Sequence, residues 1–387
     1  MLRICYVASS YGLYDKNLIS ALVRREYELH VVMLKPRQIK LEEKIEGATY
    51  WEIAPAFGMI TRELPLVLYP GHYLRVLATL NKVLRTVKPD VLHGGNVQTA
   101  GFLCALTNYH PFLLMPMGSD ILIYPKKSKA VEWITKFTIA RSDLILGDAK
   151  SIKEEITSLT QYDEERISIL CSGIDLNVFN PQVESDVKSR LGWEDNIVVI
   201  CTRNHKNVYG IEYLLDAIPD VIQNCQSVRF LVVGVGPLTE EFKRLARERQ
   251  IENYVLFTGY VPNTELPEYL VASDIYVSPS LSDGTSVSLL EAMGCGLPTI
   301  VTDVPANKEW IVNGENGCVV PTRDSKTLSE SIISLSHNIE NRKIFGRKNY
   351  EIVQRHANLE NNTENLHNIY NELVRRVSAV SSGSCSE

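Results

Sequence analysis

The sequence predicts an α/β protein made of two doubly wound parallel sheets, each flanked by helices. Three observations carry that expectation. Short apolar runs alternate with helical stretches along most of the 387 residues, which is the pattern of parallel strands joined by crossover helices. The alternation breaks at Gly173-Ile174-Asp175 and Phe179-Asn180-Pro181 and then restarts. The residues of chemical interest (Arg203, Gly236, Gly259 and Asp283) fall at or beyond the carboxyl ends of the strand-like runs, where open α/β sheets hold their ligands.

In the first half, Arg3–Ser9 and Leu29–Leu34 read as buried strands, with a helix from Asn17 to Glu26 between them. After an irregular stretch, Tyr73–Val87 has helical spacing and stops at Lys88-Pro89, as helices do before proline. Asp90–Gly95 is a strand ending in glycines. A helix over Gln98–Leu106, a strand over Pro111–Gly118, a helix over Ala130–Ala140 and strands at Asp143–Asp148 and Ser168–Gly173 complete the half. The second half gives strands at Ile197–Arg203, Arg229–Gly236, Val255–Gly259, Asp274–Ser280, Pro298–Asp303 and Gly317–Val320. Helices fall at Gly210–Asn224, Thr239–Arg249 and Glu265–Ala272, and a last one at Leu359–Val380. The tail 381–387 reads as disordered.

Composition is that of a soluble globular chain, with 45% hydrophobic and 22% charged residues. The net charge of −6 gives no general attraction to nucleic acid or anionic membrane. The eight cysteines form no C-x-x-C pair, so buried reduced thiols in a cytoplasmic protein are expected and zinc is not. Met1-Leu2-Arg3-Ile4 leads straight into the first strand, so no secretory signal is expected. The longest apolar run, Ala100 to Gly118, is interrupted by Asn108, His110 and Pro111, which argues against a span.

The most informative stretch is Ser278–Asp303, SPSLSDGTSVSLLEAMGCGLPTIVTD. Asp-Gly-Thr-Ser has turn and N-cap chemistry, and SVSLLEAM has good helix formers. A helix starting near Thr285 or Ser286 offers free N–H groups to an anion. Glu291 lies about one and a half turns into that helix, placed to accept from hydroxyls. Phosphate at the helix start and a polyol further along is the shape of a nucleotide-sugar. A buried strand–loop–helix unit with a capping acid and a surface Glu is the plain alternative.

Together with LVVGVGPLTEEF, VLFTGYVPNTELPEYLVASDIYVSPS, NGENGCVVPTRD, KPDVLHGG and CSGIDLNVFNP, this stretch resembles glycosyltransferase family four. These are retaining enzymes of the GT-B fold, two Rossmann-like domains facing a central cleft. The resemblance implies an acceptor-binding domain at 1–177 and a nucleotide-sugar domain at 178–352. It further implies a helix at 353–380 crossing back to the first domain. Glu291 matches the second Glu of the family's Glu-x7-Glu motif and is implied to bind the donor ribose. Asp283 stands in place of the first Glu, one methylene shorter, at the donor sugar. Gly284, Thr285 and Ser286 would bring N–H groups to sugar and diphosphate. Arg203 matches the Arg that neutralises the diphosphate, an interdomain salt bridge being its plain alternative. Where the family adds a Lys before the next Gly, this chain has Tyr209, and Lys206 is the replacement candidate. Gly259, Tyr260 and Val261 match the holder of the base, and Gly236 lies in the same donor-binding set.

On the acceptor side the departures are larger. His93 matches a family His near the cleft. A second family His is Met117 here, which cannot move a proton. Asp120 is then the nearest acid/base candidate, with helix capping as its alternative. Gly12, Asp15 and Lys16 are candidates for reading the acceptor, or simply start the helix. The expected partners are a nucleotide-sugar donor and a hydroxyl acceptor, lipid-linked in some relatives. No cofactor or metal is implied, since no D-x-D triplet occurs. The resemblance implies front-face attack in which the leaving diphosphate takes the acceptor proton. Ala54–Leu84, with Arg62, Arg75, Lys82 and the adjoining Arg85, suits either an ordinary amphipathic helix or peripheral contact with the inner membrane face. Three rivals stay open: a sugar-nucleotide epimerase on the same fold, a dinucleotide enzyme using Gly234-x-Gly236 without its third Gly, and an inactive nucleotide-sugar-binding module.

Overall fold

The computed structural model describes residues 2–9, 12–34, 44–53 and 70–383. Among them the chain divides into two compact units, one of Met1–Ser172 with Glu360–Glu387, the other of Gly173–Leu359.

The first unit is a parallel sheet of β1 (Arg3–Ala8), β2 (Glu28–Met33), β3 (Thr49–Glu52), β4 (Val91–Gly95), β5 (Phe112–Met115), β6 (Leu144–Gly147) and β7 (Ile167–Ile169). Its order is β3-β2-β1-β4-β5-β6-β7, so the winding reverses between β1 and β4. β3 falls in the stretch read as irregular. It is an edge strand whose TYWE residues are half-buried or exposed, so it lacks the apolar run that marks the central strands. The helix expected at Asn17 begins earlier, spanning Leu13–Arg24. The last helix, Leu359–Gly383, sets Leu366, Tyr370 and Leu373 into this unit's core beside Tyr6, Ile19 and Val31.

The second unit is a parallel sheet of β8 (Ile197–Cys201), β9 (Val228–Val233), β10 (Val255–Gly259), β11 (Ile275–Ser278), β12 (Thr299–Thr302) and β13 (Gly317–Val320). The order β10-β9-β8-β11-β12-β13 reverses between β8 and β11. Its core joins Phe230, Val277 and Ile300 of the sheet to Leu214, Ile218 and Phe242 of the helices. The helices Ser325–His337 and Ile339–His356 were not marked by the sequence reading. Two passages of chain are tied together here: Ile174 donates to Ala357 O at 2.8 Å, and Leu359 donates to Ile174 O at 3.0 Å. At Gly173, φ is +73° and an added Cβ would stand 2.7 Å from Ala357 O, which only glycine avoids.

The helix Pro70–Val87 is amphipathic: Tyr73, Val76, Leu80 and Val83 are buried, while Leu74, Arg75, Lys82 and Arg85 face solvent. Residues 54–69 of the expected membrane-contacting segment, Arg62 included, lie outside the described residues, as do 384–387 of the tail. Among the described residues no helix is long and apolar enough to cross a membrane. The seven described cysteines are free thiols, and all but Cys318 are buried.

Candidate functional site

Beyond β8 and β11, the pair at the reversal of the second sheet, two loops meet. The chain leaves β8 through Thr202 and Arg203 and makes a short turn at Asn207–Tyr209 before the helix Ile211–Asn224. It leaves β11 through Pro279–Thr285 and enters the helix Val287–Gly294, which Ser286 caps by accepting from Leu289 N at 3.3 Å. That cap leaves the Val287 and Ser288 N–H groups at the positive helix end. A switch point of this kind is where doubly wound sheets take ligands.

Arg203 is 6% exposed and is held on several sides. Its Nη1 donates to Ser288 Oγ at 2.7 Å and to Ser286 Oγ, and its Nη2 donates to Asp283 Oδ2. The Tyr209 ring lies against the guanidinium, 4.1 Å from centroid to carbon, a cation–π contact. The Arg203 salt bridge therefore lies within the second unit. Burial works against the Arg203 charge, but Asp283 and then Tyr276 and Tyr209 outweigh it, so the cation is kept. At Asp283 burial is the largest influence and lifts the carboxyl above its usual value, against the pull of Arg203 and the Gly284 N–H.

Glu291 sits on the helix Val287–Gly294, 2% exposed. Its Oε1 is buried without a hydrogen-bond partner. Burial pushes its carboxyl up to about 8, with Arg203 pulling the other way. An acceptor atom kept dry and unpaired is costly, and a ligand hydroxyl would repay it. The reading of Glu291 as a surface residue is overturned.

The ends of β9 and β10 lie beside Arg203, where a Cβ added at Gly234 would stand 2.9 Å from Arg203 O. Gly236 N donates to Thr239 Oγ1 at 2.9 Å, and Gly234 N donates to Gly259 O at 2.9 Å, so the ends of β9 and β10 are tied. Tyr260 is 73% and Val235 46% exposed at these ends, two apolar surfaces with no core role. Val261 is half-buried. Gly284 and Ser286 are buried, and Thr285 accepts from Trp310 Nε1 at 3.3 Å. Lys206 is exposed at the start of the turn, a solvated loop position, whereas Tyr209 and Ser288 hold the guanidinium. Tyr209 was noticed only as a missing lysine, and Ser288 not at all. Its spacing of two from Ser286 at a helix start was the available signal.

The candidates of the first unit have different surroundings. His93 is fully buried in β4, paired in register with Tyr6. Its Nδ1 is 2.6 Å from the Tyr370 hydroxyl of the last helix, and burial drops its pKa to about 3. A neutral imidazole buried in the core, with Nε2 unpartnered, favours the structural role of a strand-end histidine over a catalytic one. Asp120 is also fully buried. Its two oxygens accept from Val97 N at 2.9 Å and Met117 N at 2.8 Å, which joins the turns beyond β4 and β5. That favours the capping alternative over an acid/base. Asp15 is 4% exposed and accepts from Tyr6 Oη at 2.6 Å and Gly12 N at 2.8 Å, so it starts the helix. Lys16 is half-buried and Gly12 exposed.

With this geometry in hand, comparison with known proteins is direct. The family model described as Glycosyl transferases group 1 matches residues 195–338, and that described as Glycosyl transferase 4-like matches 3–149. The chain is 25% identical over 307 residues to a putative teichuronic acid biosynthesis glycosyltransferase of Bacillus subtilis, covering 76% of this chain and 74% of that protein. It is 22% identical over 378 residues to the N-acetyl-alpha-D-glucosaminyl L-malate synthase of Bacillus anthracis, covering 94% of each. Among solved structures it is similar to sucrose-phosphate synthase from Thermosynechococcus elongatus, with a TM-score of 0.84 at 17% identity over 97% of this chain and 100% of that one. It is also similar to Anabaena HepE in complex with UDP-glucose, with a TM-score of 0.81 at 16% identity over 96% of this chain and 100% of that one. At those identities the structural likeness shows the fold. Taken with the family models, which between them match most of both units, it shows that this chain belongs to glycosyltransferase family four and is a transferase of the GT-B fold.

Proposed function

We propose that the protein is a retaining glycosyltransferase that moves a sugar from a nucleoside-diphosphate sugar to a hydroxyl acceptor without a metal ion. One observation carries this reading. A buried, charged Arg203, a helix N-terminus at Val287 and a dry, unpaired Glu291 carboxyl oxygen lie together at the switch point of the second sheet. The first two suit a diphosphate, and the third suits the ribose hydroxyls. Tyr260 and Val235 suit the base, Asp283 the sugar.

In the reaction the bond from the anomeric carbon to the diphosphate oxygen breaks. The acceptor oxygen bonds to the same face of that carbon, and its proton passes to the departing phosphate oxygen. Arg203 and the N–H groups at the helix start stabilise the charge growing on the diphosphate, which is electrostatic work of the oxyanion-hole kind. The lack of any D-x-D triplet supports a metal-independent route. The UDP-glucose complex of the Anabaena neighbour supports the donor class. The name of the Bacillus subtilis relative supports a saccharide-building role, with a glycan or lipid-linked saccharide as acceptor.

The test is to incubate the protein with UDP-, GDP- and ADP-sugars and a panel of saccharide acceptors, with and without a chelator. Product anomers are followed by proton NMR. Transfer with the donor's anomeric configuration, unchanged by chelator, is expected. Inverted product or loss of transfer on chelation contradicts the mechanism.

A further inference from the structure

Three of the five N–H donors of Arg203 are committed. Its Nη1 carries two N–H groups, and these meet Ser286 and Ser288. One face is covered by Tyr209, which offers a ring and no second charge. What remains is the edge formed by Nη2 and Nε. Nε is buried without a partner, and Nη2 is taken by Asp283. The Asp283 side chain is 19% exposed and that of Arg203 7%, so the carboxylate is the outer member of the pair. An anion approaching Arg203 from solvent meets that edge already facing a carboxylate. Two anions sharing one partly buried guanidinium repel each other.

Resting on the donor-site reading above, we propose that Asp283 is an internal anion that a nucleoside diphosphate displaces from Arg203. Displacement turns the carboxylate toward the hydroxyls of the donor sugar. The position allows it: Asp283 lies in the loop between β11 and the helix Val287–Gly294, outside both elements and next to Gly284. A rotation about its side-chain bonds frees the guanidinium edge while Ser286 and Ser288 keep Nη1 in place. The sugar-reading acid is thus presented once the diphosphate is seated. A ligand lacking the diphosphate leaves Asp283 on Arg203.

The test is calorimetric titration of the full chain with UDP, GDP and ADP. Four proteins are compared: wild type, Asp283→Asn, Arg203→Gln and the double variant. The proposal expects Asp283→Asn to bind the preferred nucleoside diphosphate about tenfold tighter than wild type, and about twofold or less tighter in the Arg203→Gln background. Equal or weaker binding by Asp283→Asn overturns it. An equal gain in both backgrounds also overturns it, because a distant charge effect needs no displacement. If Asp283→Asn loses its folded transition, Asp283→Ser is read in the same way; loss of fold in both shows a fixed structural anchor and overturns the proposal. Wild-type binding without a gain removes the displacement alone. No binding by any of the four removes the donor reading and the displacement with it.

Discussion

Beyond β8 and β11 the polar side chains face each other, and a buried carboxyl oxygen of Glu291 is left unpaired. Beyond β1, β4 and β5 the candidate carboxylates are tied to their own unit's backbone, and the candidate His93 to a side chain of the last helix. Asp15 holds Gly12, Asp120 holds Val97 and Met117, and His93 holds Tyr370. The same topology, reversed at the same kind of place, holds its candidate carboxylates differently: Asp15 and Asp120 accept from backbone N–H groups, while Glu291 keeps Oε1 unpaired. The difference teaches that strand-end position nominates a residue, and that its partners decide what it does. A carboxylate accepting two backbone N–H groups is a brace. A carboxyl buried without a partner beside a buried arginine and a helix start is a site.

Variants of the second unit should therefore hit chemistry and spare folding, and those of the first should do the reverse. The largest effect is expected for Arg203→Ala, which should lower sugar transfer by about 2–4 kcal/mol of transition-state stabilisation, read as kcat/KM. Full activity would break the comparison from the second unit's side. Asp120→Ala removes the acceptor of one buried and one half-buried N–H group and should cost about 2–3 kcal/mol of stability in urea titration, with turnover per folded molecule nearly kept. His93→Leu removes the 2.6 Å contact to the buried Tyr370 hydroxyl and should cost about 1–2 kcal/mol. If His93→Leu instead abolishes transfer while melting normally, His93 is catalytic and the first unit has been misread.

A smaller effect carries a sign that sharpens the contrast. Glu291 titrates at about 8 in the folded chain against a usual value of 4.5. The folded state thus binds its proton more tightly, and stability falls as pH rises from about 4.5 to about 8. Glu291→Gln removes that cost, so its Tm should exceed the wild-type value by a few degrees, about 2–4 °C, at pH 8. The gap should close below about pH 4.5. A donor-site variant that stabilises while losing ligand is the mark of a residue kept for function. Lys206→Ala should change transfer least, about threefold or less, because an exposed lysine interacts through a high dielectric.

The alternation of apolar runs made both sheets legible, because central parallel strands are buried on both faces and advertise it. β3 escaped because Thr49–Glu52 lies at an edge and needs no such run. Arg203 and Glu291 were legible because their motif is local to a loop and a helix start. The Arg203–Asp283 contact joins residues 80 positions apart, and the His93–Tyr370 contact joins residues 277 apart. Neither distance leaves a trace in spacing. His93 sits at the end of DVLHGG, and nothing in that run shows that Tyr370 of the last helix is its partner.

The central claim is that Arg203 and Glu291 form one nucleoside-diphosphate site. Its most direct test is calorimetric titration of UDP, GDP and ADP into the full chain and into Glu291→Ala. The account predicts saturable one-to-one binding of at least one of the three by wild type, weakened about tenfold or more in Glu291→Ala. Unchanged affinity in that variant, or no binding by wild type, would contradict it.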